Sequence, residues 1–415
     1  MNKSLLQTIA FAFILLFTTS CGDEYLPMAV NEEKVDYHRS IEEAQEDLMG
    51  LLADVDAHNS RATTRSIINS YERTLGNKSR SGNDLDVYIF NFEDEEGFAM
   101  MSTDKRLPSL IALANKGNLN EGDSIDNPGL KLFIEYAVST IDPETPEKPI
   151  KDPFEPTTPF GKKYEWTNEI THVNGMCSTK WGQDSPYNKY TPVVNGIKCP
   201  TGCVATSMSQ LMAFYEYPQS YNGYTFDWTE MKKTYSPFSY TISGADQLAR
   251  LMQQLGLPSN LNMNYKPTGS GASPYNISKT FKAFGYTSGG TLKAYNIEDV
   301  VQEIKSNHPL LAGGESKDGG HSWLIHGLLK RTYTVYYGTI SGKYEKDYSQ
   351  DYYYVLCNWG WDGFADGYYL SNAFNTKSGP KYGENSTSDN LIESTGGKGS
   401  YNFNENITIV SGIRK

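Results

Sequence analysis

Val204, Met208, Leu211, Met212 and Tyr215 recur at i, i+4, i+7, i+8 and i+11, and this spacing predicts a helix with one buried face. Cys203 opens it, directly behind Gly202. Tyr217-Pro218 closes it, because the residue before a proline is pushed out of helical backbone. A second stripe, Ile41, Ala44, Leu48, Leu51, Leu52 and Val55, predicts a helix within 35–55. Leu130 to Ile141 reads as a third. Between these two, Asp86 to Phe92 alternates as a strand does. An acidic turn, Glu93 to Gly97, leads to a partner strand at Phe98–Ser102, so a hairpin is expected. A corner at Asp104-Lys105-Arg106-Leu107-Pro108 precedes one more apolar run, Leu110 to Ala114. Further on, Ser322 to Ile325 and the run from Tyr354 to Cys357 read as strands, the latter ending at Asn358 before a glycine-rich turn.

The pattern breaks between Asp142 and Pro159, where Pro143, Pro146, Pro149, Pro153, Pro156 and Pro159 stand among charges. Such a stretch is a stiff, exposed linker and a ready site for proteolysis. It divides the chain into a first unit over 22–141, a linker over 142–163 and a second domain over 164–415. Ahead of them, Lys3 and the apolar run Leu5–Phe17 have the form of a signal peptide over 1–20, too short to span a membrane comfortably. Thr18-Thr19-Ser20-Cys21-Gly22 resembles a bacterial lipobox, in which Cys21 is lipidated after cleavage. The threonines depart from that motif's usual residues, so plain signal cleavage is the alternative. Either route implies export, as a secreted protein or as an outer-membrane or cell-surface lipoprotein.

The chain has 415 residues, 38% of them hydrophobic, enough for sizeable cores. Its formal net charge of −12 argues against a nucleic-acid partner, which needs clustered Lys and Arg. With Cys21 set aside, Cys177, Cys199, Cys203 and Cys357 remain. Disulfides are permitted in an exported protein, but a reactive thiol has to stay unpaired. The spacing of Cys199 and Cys203 fits zinc poorly, and neither metal nor cofactor is expected.

Cys203 has the position of a nucleophile. Orphan N–H groups and the dipole at a helix N-terminus favour thiolate. It would need a base, and six histidines are available. His38 and His58 lie in the first unit, His172 in a polar loop, and His308 before Pro309. His321 and His326 flank the strand at Ser322–Ile325, and their odd separation points them to opposite faces. His321, behind Gly319 and Gly320, is the candidate base, and His326 is structural or solvent-facing. Asn358 could orient the imidazole, with Trp359 and Trp361 walling off water. Gln183 is the candidate oxyanion donor, beside the Cys203 N–H. Taken singly, each has a plainer reading: a small core thiol, a Trp-rich hairpin, an ordinary loop glutamine.

Together the segments are specific. Trp181-Gly182-Gln183 with Pro186-Tyr187-Asn188, then Gly202-Cys203-Val204-Ala205-Thr206 with Gln210, Met212 and Tyr217-Pro218, then Gly320-His321, then Asn358-Trp359-Gly360-Trp361 with Asp366-Gly367-Tyr368, resemble the streptopain family of papain-like bacterial cysteine peptidases. The resemblance implies an α+β fold, a helical part plus an antiparallel β part. It implies Cys203, His321, Gln183, Asn358 and Trp359 as catalytic machinery, and Ser270, Gly320 and Trp361 as residues facing peptide substrate. Gly396-Gly397-Lys398-Gly399 is similar to a mobile glycine loop of the family. Tyr88 to Phe92, Gly97-Phe98, Ser102, Asp104-Lys105-Arg106, Pro108 and Gly117-Asn118 are similar to its propeptide, which implies a zymogen inhibited by its own first unit. Ser322-Trp323, His326, Cys199 and Cys357 depart from the family pattern and bear on substrate preference and redox behaviour. Two other readings use the same scaffold: a surface-anchored protein-binding module, and a Cys-dependent amidase or acyl transferase.

Overall fold

The computed structural model describes residues 36–58, 64–76, 84–141, 162–239, 241–316, 319–339, 341–375 and 407–415. The leader with Cys21, the proline-rich segment and the 396–399 loop lie outside the described residues.

Helix α1 spans Ile41–His58 and buries the predicted stripe, from Ala44 to Val55. Its start is a reciprocal capping box: the Ser40 N–H donates to Glu43 Oε2 (2.9 Å), and the Glu43 N–H donates to Ser40 Oγ (3.2 Å). Strands β1 (Ile67–Leu75), β2 (Leu85–Phe92), β3 (Phe98–Ser102) and β4 (Leu110–Ala114) follow as an antiparallel meander. β1 was not expected. Its Asn-Ser and Glu-Arg pairs hide the alternation, because this edge strand is half solvated. Helix α2 (Pro128–Thr140) begins earlier than the apolar run suggests. The Asn127 side chain caps it, accepting from the N–H groups of Gly129 and Leu130, and Pro128 takes the first turn, where no donor is needed.

The second half opens with β5 (Lys162–Val173) and then α3 (Cys203–Tyr215). Helices α4 (Ser243–Gly256) and α5 (Tyr275–Ala283) pack with α3 around one apolar cluster. Strand β6 (Ser288–Ala294), helix α6 (Ile297–Lys305) and strands β7 (Leu310–Ser316), β8 (Gly319–Gly338), β9 (Tyr344–Asn358), β10 (Gly367–Leu370) and β11 (Thr408–Arg414) complete the β part. The strand expected at Ser322–Ile325 is the first third of β8. This long strand pairs along one edge with β9, and along the other first with β7 and then with β5. His172, expected in a loop, is therefore in β5. It is half-buried, with its ring stacked on His58 at 4.3 Å.

These eleven strands form one sheet, in the order β1-β2-β3-β4-β10-β9-β8-β7-β11-β6, with β5 beside β8, and two short two-stranded ladders, Val193–Val194 with Ile197–Lys198 and Ser220–Tyr221 with Tyr224–Thr225, stand apart from it. The first unit is thus continuous with the second through β4 and β10, where Ala114, Leu113 and Ala112 face Gly367, Tyr368 and Tyr369. Side chains add to the join. The Tyr333 hydroxyl donates to Lys105 O (2.6 Å), the Tyr354 hydroxyl to Leu110 O (2.8 Å) and Asn127 Nδ2 to Phe364 O (2.8 Å).

Under the sheet, Arg331 of β8 is fully buried. It donates to both carboxylate oxygens of Asp47 on α1, at 2.7 and 3.1 Å, and to Ser109 Oγ at 3.1 Å. The Arg331 guanidinium holds the Asp47 carboxyl below the usual range although burial opposes it. Removing one partner of such a pair strands the other charge in a poorly hydrated site. Asp47→Ala is expected to destabilise the full-length protein by about 3 kcal/mol and to speed loss of the first unit. Denaturant melts and a time course of limited proteolysis check this, and an unchanged midpoint would refute the clamp.

Candidate active site

The turn into α3 depends on Gly202. Its φ is +90°, and a Cβ there would lie 2.8 Å from the Ser270 carbonyl oxygen and 2.9 Å from Met263 Sδ. Only glycine has both the backbone freedom and the missing atom. No side chain caps α3, so its first N–H groups are left for the thiol. Cys203 is half-buried. Burial pushes its thiol up, and the N–H groups of Ser322, Val204 and Cys203 itself act in the opposite direction. The Ser322 contact brings the start of β8 to the sulfur. A hydroxyl bridge reinforces it: Ser207 Oγ of α3 meets Ser322 Oγ at 3.1 Å, and Ser322 Oγ donates to Ala312 O of β7 at 3.1 Å.

His321 stands opposite Gly314 in the β7–β8 ladder and is only 5% exposed. Its Nε2 lies 2.9 Å from the Trp359 carbonyl oxygen. A carbonyl only accepts, so the ring proton sits on Nε2 and Nδ1 is the free base. Burial drives the imidazole down from its ordinary 6.5 to about 4, against the Trp359 bond. Cys203 and His321 line one cavity of about 220 Å³ together with Gly320. Its walls are mostly apolar, including Ala272, Leu292, Leu311 and Val410, with Glu315 as a further carboxylate.

The other expected residues fall in different places. The Gln183 carbonyl accepts from Thr201 N–H at 2.9 Å, which pins that residue beside the turn into α3, but Gln183 does not line the cavity. The Asn358 amide is engaged away from the imidazole. Its Oδ1 accepts from Gln210 Nε2 (2.8 Å) and Gly360 N–H (3.0 Å), and its Nδ2 donates to Thr179 O (2.7 Å). The neighbouring peptide carbonyl, at Trp359, holds His321 instead. The Trp359 side chain is fully buried, with Nε1 donating to Ala365 O (3.0 Å) and its ring 5.2 Å from that of Trp323. Trp361 is half-buried against the larger core and does not line the cavity. Ser270 is 7% exposed, its Oγ has no partner among the described residues, and its neighbours Gly271 and Ala272 line the cavity. His326 is buried rather than solvent-facing, and its Nδ1 accepts from Cys177 N–H at 3.2 Å. Cys177, Cys199, Cys203 and Cys357 are all free thiols.

Sequence reasoning gave the first unit an inhibitory role but named no residue of it at the site. The structure does: a Cβ on Gly129 of α2 would lie 2.1 Å from Trp359 Cε3, so this helix sits flush on the tryptophan whose carbonyl holds His321. The glycine behind the Asn127-Pro128 cap was the available signal.

Residues 181–369 match the Peptidase C10 family, and residues 44–141 match the Spi protease inhibitor. By these matches the chain is a cysteine peptidase similar to the C10 family. Streptopain of Streptococcus pyogenes serotype M1 is 24% identical over 337 residues, covering 70% of this chain and 74% of streptopain. The thiol protease/hemagglutinin PrtT of Porphyromonas gingivalis is 25% identical over 317 residues, which are 69% of this chain and 34% of PrtT. A solved fragment of prointerpain A from Prevotella intermedia superposes with a TM-score of 0.53 at 25% identity, covering 84% of this chain and 99% of the fragment. The peptidase thus carries its own inhibitory segment, and its mixed helix and antiparallel sheet architecture is shared with the prointerpain fragment.

Three imidazoles of this zymogen, the buried His321 and His326 and the half-buried His172, are each pushed down to about 4 by loss of hydration, with His58 adding to the effect on His172. Unfolded, each returns to about 6.5 and takes a proton first. Their contribution to stability is whole above that value and is lost as pH falls toward 4. The depressed Asp47 carboxyl adds a further loss at lower pH still. The zymogen's melting midpoint is expected to fall steadily between pH 6.5 and 4. A scan showing a flat midpoint over that range would contradict the neutral assignment.

Proposed function

We propose that this peptidase is an exported endopeptidase in which Cys203 is the nucleophile and His321 the general base and acid. The observation that carries the reading is the meeting of a helix tip and a strand start at one cavity, with the Ser322 N–H at the thiol and His321 Nδ1 unprotonated. In the mature enzyme the thiolate adds to a peptide carbonyl carbon. The oxyanion is held by the Cys203 N–H and the Gln183 amide. The imidazolium gives its proton to the leaving amine, and water releases the acyl group. The apolar cavity walls suit an apolar substrate side chain next to the scissile bond.

Latency follows from solvation. Burial disfavours both the thiolate and the imidazolium, so the pair rests as neutral thiol and neutral imidazole. Release of the first unit after cleavage within 142–163 would uncover the Trp359 face, admit water and favour the ion pair. Asn358 would orient the ring through the Trp359–Gly360 peptide, its Oδ1 accepting from the Gly360 N–H while the Trp359 carbonyl accepts from His321. Ser270, Gly320 and Trp361 are assigned to substrate. The leader over 1–20 directs export, and Cys21 is the point of lipid attachment if the lipobox is read by the cell.

Cys203→Ala is expected to leave no measurable casein hydrolysis, and a variant that still digests casein would sink the assignment. Gln183→Ala is expected to lower kcat by about a hundredfold while Cys203 still reacts with a peptidyl thiol reagent. Full-length protein is expected to label more slowly at neutral pH than the processed form. Equal labelling rates would rule out inhibition by the first unit.

A further inference from the structure

Gln210 lies on α3 about two helical turns beyond Cys203, and it is fully buried. Three hydrogen bonds hold its amide. Oε1 accepts from the Trp181 N–H (3.3 Å) and from Thr179 Oγ1 (3.1 Å), and Nε2 donates to Asn358 Oδ1 (2.8 Å). One side chain therefore ties the nucleophile's helix to the loop ahead of Gln183 and to the end of β9.

These bonds also set a polarity. A backbone N–H can only donate, so the atom facing Trp181 must be the oxygen of Gln210. That leaves Nε2 toward Asn358, and the atom it meets must be an acceptor. The Gly360 N–H, landing on the same Asn358 oxygen at 3.0 Å, requires this too. The Thr179 carbonyl, which can only accept, takes Asn358 Nδ2 at 2.7 Å. The Asn358 amide cannot flip without breaking these contacts together.

We propose that Gln210 is a positioning residue for peptidase catalysis: it holds the Asn358 amide oxygen on the Gly360 N–H, and so fixes the plane of the Trp359–Gly360 peptide whose carbonyl accepts from the His321 ring, in register with the helix that carries Cys203. This rests on the reading of His321 as the general base and acid of the processed enzyme. Buried amides of this kind are costly to leave unpaired, and the loss of one bond is felt by every group it orients.

The test is a double-mutant cycle on processed enzyme, with activity expressed per thiol titrated by a peptidyl alkylating reagent, so that misfolded protein does not count. Gln210→Met is expected to lower kcat about tenfold or more with KM little changed. Asn358→Ala is expected to lower kcat as well, and the double variant to be no slower than Asn358→Ala alone. Gln210→Glu keeps the acceptor side and loses the donor. Its activity relative to the native enzyme is expected to rise as pH falls and the buried carboxyl gains a proton it can donate to Asn358. Losses that multiply in the double variant, or a Gln210→Glu ratio that is flat with pH, would overturn the proposal. Full activity in Asn358→Ala would overturn it too, and in that case an inert Cys203→Ala would leave the dyad reading standing. Should Gln210→Met yield no titratable thiol, the isosteric Gln210→Glu decides the matter through its pH ratio.

Discussion

The pairing of β4 with β10 is the contact on which the arrangement of this zymogen depends. A short stretch of backbone, Ala112–Ala114 against Gly367–Tyr369, turns two sheets into one. Hydrogen bonds along a strand edge fix register as well as position, because a slip by one residue would turn every side chain to the wrong face. The inhibitory segment therefore docks in one way only. That docking sets α2 on Trp359 and α1 under β8, where Asp47 meets Arg331. It also covers a sheet edge that would otherwise stay open.

In the proposed mechanism, what reaches the active site from this docking is a change in solvation. None of the described residues of the first unit lines the cavity. It seals the face of Trp359, whose carbonyl holds His321 and whose indole is locked by Ala365. In this dry setting the neutral forms of thiol and imidazole are favoured over the ion pair. Inhibition of this kind needs no group inserted between the two residues.

The central helix shows where periodicity misleads. The apolar positions of α3 foretold one buried face, yet Thr206, Ser207, Ser209 and Gln210 are buried as well. Their side face is satisfied by hydrogen bonds rather than by apolar contact, through the Ser207–Ser322 bridge and the Gln210–Asn358 pair. Polar residues on a helix read as solvated when only sequence is considered. Here they are the means by which the nucleophile's helix is fastened to the histidine's strand and to Asn358.

Legibility from the sequence followed the range of the interaction. The helix beginning at Cys203, the hairpin from Leu85 to Ser102 and the apolar run at Leu110–Ala114 were legible because side-chain period and turn chemistry act over a few residues. The turn at Gly202 and the placing of His321, rather than His326, on the face beside Cys203 were legible too, since each rests on a glycine beside it or on strand parity. The edge strand β1, the full reach of β8 and the placing of His172 in β5 were not, because pairing across long separations decides them. Nor was the acceptor of the His321 ring: Asn358 and Trp359 stand side by side in the chain. Only the packed surroundings, with Gln210 and Thr179 engaging the one and α2 pressing on the other, decided which of the two the imidazole meets.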